Sequence, residues 1–164
     1  MDKMDVIKNG FSGEKLRWED FPDIGLYMDQ VMLILSRNGG VFSGQEKLTP
    51  AMVNNYIKDG HIPRANGKKY SREHLAYLTV FMHLKHVLSV SDAGKLTGEV
   101  LGGEDIKEAF ERFATELKSA EKALISSFKE ESNEDAVTTA LRLALTAYVA
   151  KAACEELILS TNNE

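Results

Sequence analysis

The stretch Leu48–Leu78, "LTPAMVNNYIKDGHIPRANGKKYSREHLAYL", decides the fold because it marks a capped helix, a tight turn and the start of a second helix. Thr49 can cap the first helix, and Pro50 suits its first position because the N–H that proline lacks is not needed there. Gly60 can close the helix in the left-handed conformation. The pattern therefore predicts a short helix with both ends defined.

The second part of this stretch predicts a hairpin followed by a longer helix. Asn66-Gly67 can supply the positive φ angles of a tight turn, and Ile62 and Tyr70 can anchor the two flanking strands. We therefore expect a small two-stranded β wing. Ser71 can then cap a helix whose apolar residues cover a wide arc, so this helix should form the core of its half of the chain.

The regions on either side predict further helices and two boundaries. Apolar residues from Ile24 to Leu35 recur at spacings of three and four, which indicates a helix ended by Gly39 and Gly40. A fourth short helix follows the core helix, and Gly102-Gly103 is the best candidate domain boundary. The predicted parts are a loose N-terminal arm over 1–20, a domain over 21–101 and a helical region over 104–164.

The region 104–164 predicts a helical hairpin or bundle. From Ile106 to Leu124 the apolar residues step alternately by four and three, the spacing of a coiled coil or an antiparallel helix pair. Residues Ala136–Leu159 are apolar on nearly every side and need several neighbours. The candidate residues for a dimer seam or a ligand pocket are Phe110, Phe113, Leu117, Leu124, Leu141, Leu145 and Tyr148.

Charge is distributed unevenly along the 164 residues, whose formal net charge is -5. Residues 54–86 carry six Lys or Arg against two acids, whereas residues 99–135 carry five against eleven. A short helix with an amide and lysine face, followed by a basic hairpin tip, is the layout of a winged helix-turn-helix DNA reader. The candidate DNA contacts are Ala51, Asn54, Asn55, Lys58, Arg64, Lys68, Lys69 and Arg72.

Each of these residue types suits one kind of DNA contact. Asparagine can pair with adenine N6 and N7 in the major groove, so Asn54 and Asn55 are expected to read bases. Lysine and arginine bind phosphates regardless of sequence. We expect Lys58 and Arg72 to flank the two asparagines on the phosphates. Arg64, Lys68 and Lys69 are expected to form the wing tip.

"MVNNYIKDGHIP" followed by "NGKKYSREHLAYL" resembles the MerR-type helix-turn-helix domain. More closely, residues from about Phe21 to Thr97 resemble a family of bacterial MerR-like proteins catalogued only as a domain of unknown function. The resemblance implies a DNA-binding transcriptional regulator in which a C-terminal helical segment joins two subunits. It places Val53 and Tyr56 in the recognition helix, Asn54 where an arginine is usual, Gly60 and Pro63 at the helix exit, and Tyr70 at the close of the wing.

Two features depart from the MerR-type pattern. The connection Arg37–Lys47 is longer than a standard tight turn, which changes how the first two helices can dock. The wing is short and carries Lys68 and Lys69 where an arginine is typical, and lysine cannot make the bidentate contacts of a guanidinium.

Other functional classes have weaker support in the sequence. His83 and His86 lie one helical turn apart, but no cysteine is near them to complete a zinc site, so we expect no metal. There is no phosphate-binding glycine loop or nucleophile motif, so we expect neither catalysis nor a cofactor. Cys154 is the single cysteine. The N-terminus lacks a signal-peptide pattern, and charges interrupt the most apolar stretch, so a cytoplasmic protein without a membrane span is expected.

The sequence as a whole predicts an all-α protein with a small β wing, a MerR-like winged helix-turn-helix domain and a C-terminal helical hairpin or bundle. The expected partners are double-stranded DNA and a second copy of the chain. The alternative is a non-catalytic protein-interaction module that uses the same basic face to dock an acidic partner. The sequence does not decide whether a small-molecule effector binds. It also does not decide whether the C-terminal helices pack within or between subunits.

Overall fold

A computed structural model describes residues 3–11, 17–37, 47–103, 105–128 and 134–161. The described residues are mostly helical, as the sequence predicts, and they contain one short 3-10 helix, Trp18–Asp20. None of the described helices combines the length and apolar character needed to cross a membrane. The α-helices are α1 Lys3–Gly10, α2 Met28–Arg37, α3 Pro50–Lys58, α4 Arg72–Lys85, α5 Val90–Leu101, α6 Ile106–Ser127 and α7 Ala136–Ser160.

Helix α4 is the centre of the hydrophobic core, as predicted. Leu75, Leu78 and Phe81 of this helix are fully buried. Helices α5 and α6 pack against α4, and α2 contacts both α3 and α4. Phe110 of α6 is also fully buried, with its ring centroid 5.2 Å from that of Phe21. The core therefore continues through residues on both sides of Gly102-Gly103.

The helix ends follow local sequence signals. Thr49 Oγ1 accepts a hydrogen bond from the Met52 N–H at 3.2 Å, and Gly60 takes a φ of 81° after the end of α3. Asp105 and Asp135 cap α6 and α7 in the same way as Thr49 caps α3. Helix α2 ends at Arg37. Gly39, Gly40 and most of the long connection after α2 lie outside the described residues.

The described part of residues 1–20, predicted as a loose arm, contains a helix and a buried tryptophan. Residues 3–10 form α1, and Trp18 is buried beside Phe110, with ring centroids 6.1 Å apart. Glu19 also binds Lys107 of α6, with 3.0 Å between Oε1 and Nζ. Burial of a large indole surface stabilises the ordered conformation of this segment, an effect that a search for helical periodicity cannot detect.

The predicted two-stranded wing is not present as a sheet among the described residues. A single bridge between Asn66 and Lys69 closes a tight turn, in which Gly67 has a φ of 61°. The backbone of Tyr70 pairs with Leu26 through two hydrogen bonds of 2.8 Å, and not with Ile62. The next hydrogen-bonded pair of a hairpin would join Arg64 and Ser71, but His74 engages both, since its Nδ1 accepts from the Ser71 N–H and its Nε2 contacts the Arg64 carbonyl. We call residues 64–69 the basic turn.

Helix α7 contacts the rest of the chain mainly near its two ends. Ile158 is buried in the core, and Lys95 Nζ of α5 donates to the Ile158 carbonyl at 3.2 Å. Near the other end, the Arg142 guanidinium lies over the Phe128 ring at 5.3 Å. The middle of the helix is exposed, so the residues that the structure describes do not supply all the neighbours that its composition demands.

The packing of α5 against His61 predicts opposite effects for two glycine substitutions. A Cβ at Gly94 would overlap the His61 ring, whereas a Cβ at Gly98 meets nothing within 4 Å. Gly98→Ala should therefore stabilise the fold by about 0.5–1 kcal/mol, the usual gain within a helix. Gly94→Ala should lower the stability instead, as measured by urea unfolding. Equal stabilisation by both substitutions would show that His61 does not pack on Gly94.

The environment of His83 predicts a loss of stability in acid. Burial lowers the pKa of His83, helped by the nearby His86, although a hydrogen bond to the Thr79 carbonyl partly opposes the shift. The unfolded chain therefore binds a proton more readily than the native protein below a pH of about 6.5, and stability should fall as the pH decreases through this range. His83→Gln should flatten this dependence in urea unfolding measured between neutral and mildly acidic pH. If the slope of stability against pH were the same in His83→Gln and wild type, His83 would not be the cause of the loss of stability in acid.

Candidate nucleic-acid interface

Helix α3 separates its buried and exposed faces as the sequence predicts. Val53 and Tyr56 are buried, and the Tyr56 ring lies 4.6 Å from that of Phe81 in α4. The opposite face is exposed, and its members are Ala51, Asn54, Asn55 and Lys58. We call these four residues the α3 face. This face presents two carboxamides and one ammonium group on a helix held rigidly from behind.

The basic turn next to α3 is anchored by His74. The Nδ1 atom of His74 accepts a hydrogen bond from the Ser71 N–H at 3.0 Å, which assigns the ring proton to Nε2. This Nε2–H donates to the Arg64 carbonyl, with 2.9 Å between nitrogen and oxygen. A single neutral imidazole therefore ties the start of the turn to the N-terminus of α4.

Lys69, at the end of the basic turn, packs against a segment that the sequence did not predict to be part of the interface. The bridge between Leu26 and Tyr70 places this lysine beside the preceding chain, where a Cβ on Gly25 would lie 2.9 Å from Lys69 Cδ. The Lys69 ammonium lies 5.8 Å from the centre of the Tyr27 ring. Ile24 and Tyr27 are 64% and 52% exposed, so an apolar and aromatic edge borders the basic turn.

Arg72 differs from the other predicted DNA contacts because it is engaged within the fold. Its Nε donates to the Phe21 carbonyl at 2.8 Å, and its guanidinium lies 5.7 Å from the centre of the Trp18 ring. The side chain is only partly exposed. Arg72 joins the start of α4 to the 3-10 turn, so this residue has a structural role that the sequence did not predict, and its phosphate contact stays a prediction.

The remaining cations leave the surface positively charged. Lys58, Arg64 and Lys68 are exposed, and none of them forms an ion pair within the described ranges. Asp59, the acid nearest to Lys58 and Arg64 in the sequence, ends α3 and is itself exposed. Cations without counter-charges create a local positive potential that attracts polyanions, even though the whole chain is acidic.

The predicted C-terminal seam or pocket does not form one cluster. Phe110 and Phe113 pack with each other in or against the core, with ring centroids 6.0 Å apart. Leu117 and Leu124 are half-buried on α6. In contrast, the α7 members are exposed, and they are Leu141, Leu145 and Tyr148. The two helices therefore present these residues in different environments.

Candidate metal ligands are also separated. No group of three or more His, Cys, Asp or Glu residues suited to a metal ion occurs among the residues that the structure describes. The Nδ1–H of His83 donates to the Thr79 carbonyl at 2.7 Å, and the ring makes an edge contact with Phe113. His83 therefore serves the packing between α4 and α6.

A family model described as a domain of unknown function, DUF1836, matches residues 16–137. The chain belongs to the DUF1836 family. The match includes the 3-10 turn and α2 to α6, and it ends at the beginning of α7. No curated protein and no solved structure shows a significant match to the chain.

The DUF1836 match is wider than the segment from Phe21 to Thr97 on which the sequence resemblance rests. It covers the α3 face, the basic turn and the edge formed by Ile24 and Tyr27. It also contains Phe110, which completes the core beside Phe21. The exposed residues Leu141 and Leu145 of α7 lie beyond the match.

The contact between Lys69 and Tyr27 predicts how the basic turn of this DUF1836 protein is positioned. The Tyr27 ring current should shift the Lys69 Hε resonances upfield in an NMR spectrum. Tyr27→Phe should preserve this shift because the aromatic face remains, whereas Tyr27→Leu should abolish it. The loss of an exposed cation–π contact should cost about 0.5–1 kcal/mol. Identical Lys69 resonances in both variants would show that Tyr27 does not position this lysine.

Proposed function

We propose that this DUF1836 protein is a cytoplasmic, sequence-specific DNA-binding protein, a transcriptional regulator that acts as a homodimer without catalysis. The observation that carries the proposal is the exposed pair Asn54 and Asn55 on a rigidly supported helix, next to a basic turn without counter-ions in the described part of the chain. The MerR-type resemblance of the sequence supports it through the helix exit at Gly60 and Pro63.

The α3 face suits the major groove in size and chemistry. An α-helix with its side chains is about 10–12 Å across, which fits a major groove about 12 Å wide. Each asparagine can accept from adenine N6 and donate to adenine N7. Burial of Val53 and Tyr56 behind this face limits the movement of the helix, so the ordering cost on binding is small.

The basic turn suits the phosphate backbone. His74 of α4 fixes the carbonyl of Arg64, and Tyr27 lies under the ammonium of Lys69, so both ends of the turn are held in place by the fold. Phosphate contacts of this kind position a protein on DNA without reading its sequence. In this proposal Arg64, Lys68 and Lys69 hold the backbone, as does Lys58.

The second candidate function is a protein-interaction module in which the same cations dock an acidic protein surface. The net charge of -5 favours this reading because it opposes the approach of the whole chain to DNA. The acidic segment 99–135 of another copy would be one such surface. The two functions differ in sequence preference, since only a DNA reader should discriminate between duplexes at physiological salt.

Selection of bound fragments from random duplex DNA at physiological salt tests the proposed base readers. The wild-type protein should enrich a roughly palindromic motif, because a homodimer presents two copies of the α3 face. Asn54→Ala should cost about 1–3 kcal/mol and relax the preference at one base pair. The Asn54→Ala, Asn55→Ala double variant should lose the motif. Absence of any enriched motif would favour the interaction module.

The salt dependence of binding tests the proposed phosphate contacts. Lys68→Ala should weaken binding to all sequences alike and lower the slope of log K against log salt by about 1. Lys122→Ala is the matched control, because Lys122 is also an exposed lysine but lies on α6, within the acidic segment 99–135. Lys122→Ala should leave both the binding affinity and the slope of log K against log salt unchanged. Equal slopes for wild type and Lys68→Ala would remove Lys68 from the phosphate contacts.

A further inference from the structure

An exposed row of polar side chains crosses the paired segments beside the basic turn. Leu26 and Tyr70 exchange two backbone hydrogen bonds of 2.8 Å, and both side chains are buried. Side chains alternate between the two faces of paired segments, so the next opposed pair, Tyr27 and Lys69, points away from the core, and both residues are exposed. Lys69 is also the bridge partner of Asn66, which is exposed. We call Asn66, Lys69 and Tyr27 the outer row.

Lys69 is held within the outer row by its neighbours. A Cβ on Gly25 would lie 2.9 Å from Lys69 Cδ, so the lysine stem lies across the backbone where Gly25 has no side chain. The Lys69 ammonium ends 5.8 Å from the centre of the Tyr27 ring. An ammonium has three N–H donors, and contact with one aromatic ring leaves donors available for an acceptor. The outer row therefore presents a positioned cation.

The side chains of the outer row lack acceptors within the described part of the chain. Neither the Tyr27 hydroxyl nor the Asn66 carboxamide forms a hydrogen bond there, and Lys69 forms no ion pair. Asp23 and Asp29, which lie on either side of Tyr27 in the sequence, are exposed and do not pair with Lys69. An ammonium, a hydroxyl and a carboxamide can all donate to the oxygens of one anion.

The donors of the outer row fit a phosphate of the DNA backbone. Phosphate oxygens accept hydrogen bonds from lysine, tyrosine and asparagine side chains in protein–DNA complexes. Lys68 lies between Asn66 and Lys69 in the tight turn, and it is exposed without an ion pair among the described residues. Positive charge therefore continues from the row to the tip of the turn. A continuous cationic surface suits a chain of phosphates better than a single anion.

We infer that Tyr27 and Asn66 complete, with Lys69, a binding site for one phosphate of the DNA backbone. The inference rests on the proposed function and deepens it, because it adds two residues to the interface and names the DNA group that they contact. The Tyr27 hydroxyl donates to the phosphate, and its ring holds the Lys69 ammonium beside the same group. Neutral donors release no counterions, so Tyr27 adds affinity without adding salt dependence.

Binding of the full-length protein to DNA, measured by fluorescence anisotropy over a range of salt concentrations, tests the site. The two probes are a random-sequence duplex and the duplex that the selection enriches. Tyr27→Phe should weaken binding to both by about tenfold, because it removes a hydrogen bond to a charged group. It should leave the slope of log K against log salt unchanged. Lys69→Met keeps the stem across Gly25 but removes the charge, so it should lower this slope by about 1.

Tyr148→Phe is the matched control, because Tyr148 is also an exposed tyrosine but lies on α7. Its affinity for DNA should equal that of wild type. The upfield shift of the Lys69 Hε resonances should persist in Tyr27→Phe, since the inference requires the ring alone to hold the lysine. Equal affinities of Tyr27→Phe and wild type would overturn the inference. Loss of the Lys69 shift, or the same weakening in Tyr148→Phe, would also overturn it.

Neutral methylphosphonate groups, introduced one at a time into the enriched duplex, locate the phosphate. The difference in affinity between wild type and Tyr27→Phe should shrink at one backbone position and persist at the others. Asn66→Asp should weaken binding to the unmodified duplex, because a carboxylate beside Lys69 repels the phosphate. A Tyr27→Phe difference that is the same at every substituted position would show that the Tyr27 hydroxyl contacts no backbone phosphate.

These results can be separated from the sequence-specific DNA-binding proposal. An enriched motif, together with equal affinities of wild type and Tyr27→Phe, would defeat the phosphate site and keep the proposed function. Weaker binding of Tyr27→Phe to random-sequence DNA, without any enriched motif, would support the phosphate site and defeat sequence-specific reading. A wild type that binds no duplex would defeat both.

Discussion

The burial of α4 is the constraint on which the rest of the structure depends. Its Phe81 ring contacts Tyr56 of α3 on one side and stacks against His61, which in turn lies on Gly94 of α5. The first residues of the same helix hold the basic turn through His74. The α3 face and the start of the basic turn are therefore positioned by one helix, whereas the end of the turn is held by Leu26 and Tyr27. The free energy that fixes α3 comes largely from the hydrophobic core.

This arrangement explains how an acidic chain can present a basic surface. The contacts that bury one side of α3 leave the opposite side in solvent, and the basic turn is fixed beside it through backbone atoms of Arg64 and Tyr70. The side chains of the turn are then free to meet a partner, apart from Lys69, whose ammonium lies over Tyr27. Much of the excess acid lies in residues 99–135, away from this surface in sequence. Segregation of charge gives the surface a local potential of opposite sign to the net charge.

Local signals in the sequence predicted the helices, but they could not predict contacts between residues that are far apart in the chain. Thr49, Pro50 and Gly60 define α3 because capping depends on neighbours within a few residues. The wing prediction was wrong because Tyr70 pairs with Leu26, a residue far from it in the chain. The role of Arg72 was missed for the same reason, since its acceptor, the Phe21 carbonyl, lies 51 residues away. The residues of the α3 face could be predicted because amphipathic spacing alone separates them from Val53 and Tyr56.

Helix α7 shows what composition can and cannot decide. The sequence requires neighbours for this helix, because Ala, Leu and Val occur on nearly all of its sides. Within one chain, Ile158 near its end is buried while Leu145 in its middle is exposed. Burial of apolar surface stabilises a helix wherever the covering surface comes from, so the requirement can be met by a second copy. The DUF1836 match ends at residue 137, just before the exposed part begins. The candidate interface on α3 and the exposed apolar stretch of α7 therefore belong to different parts of the chain.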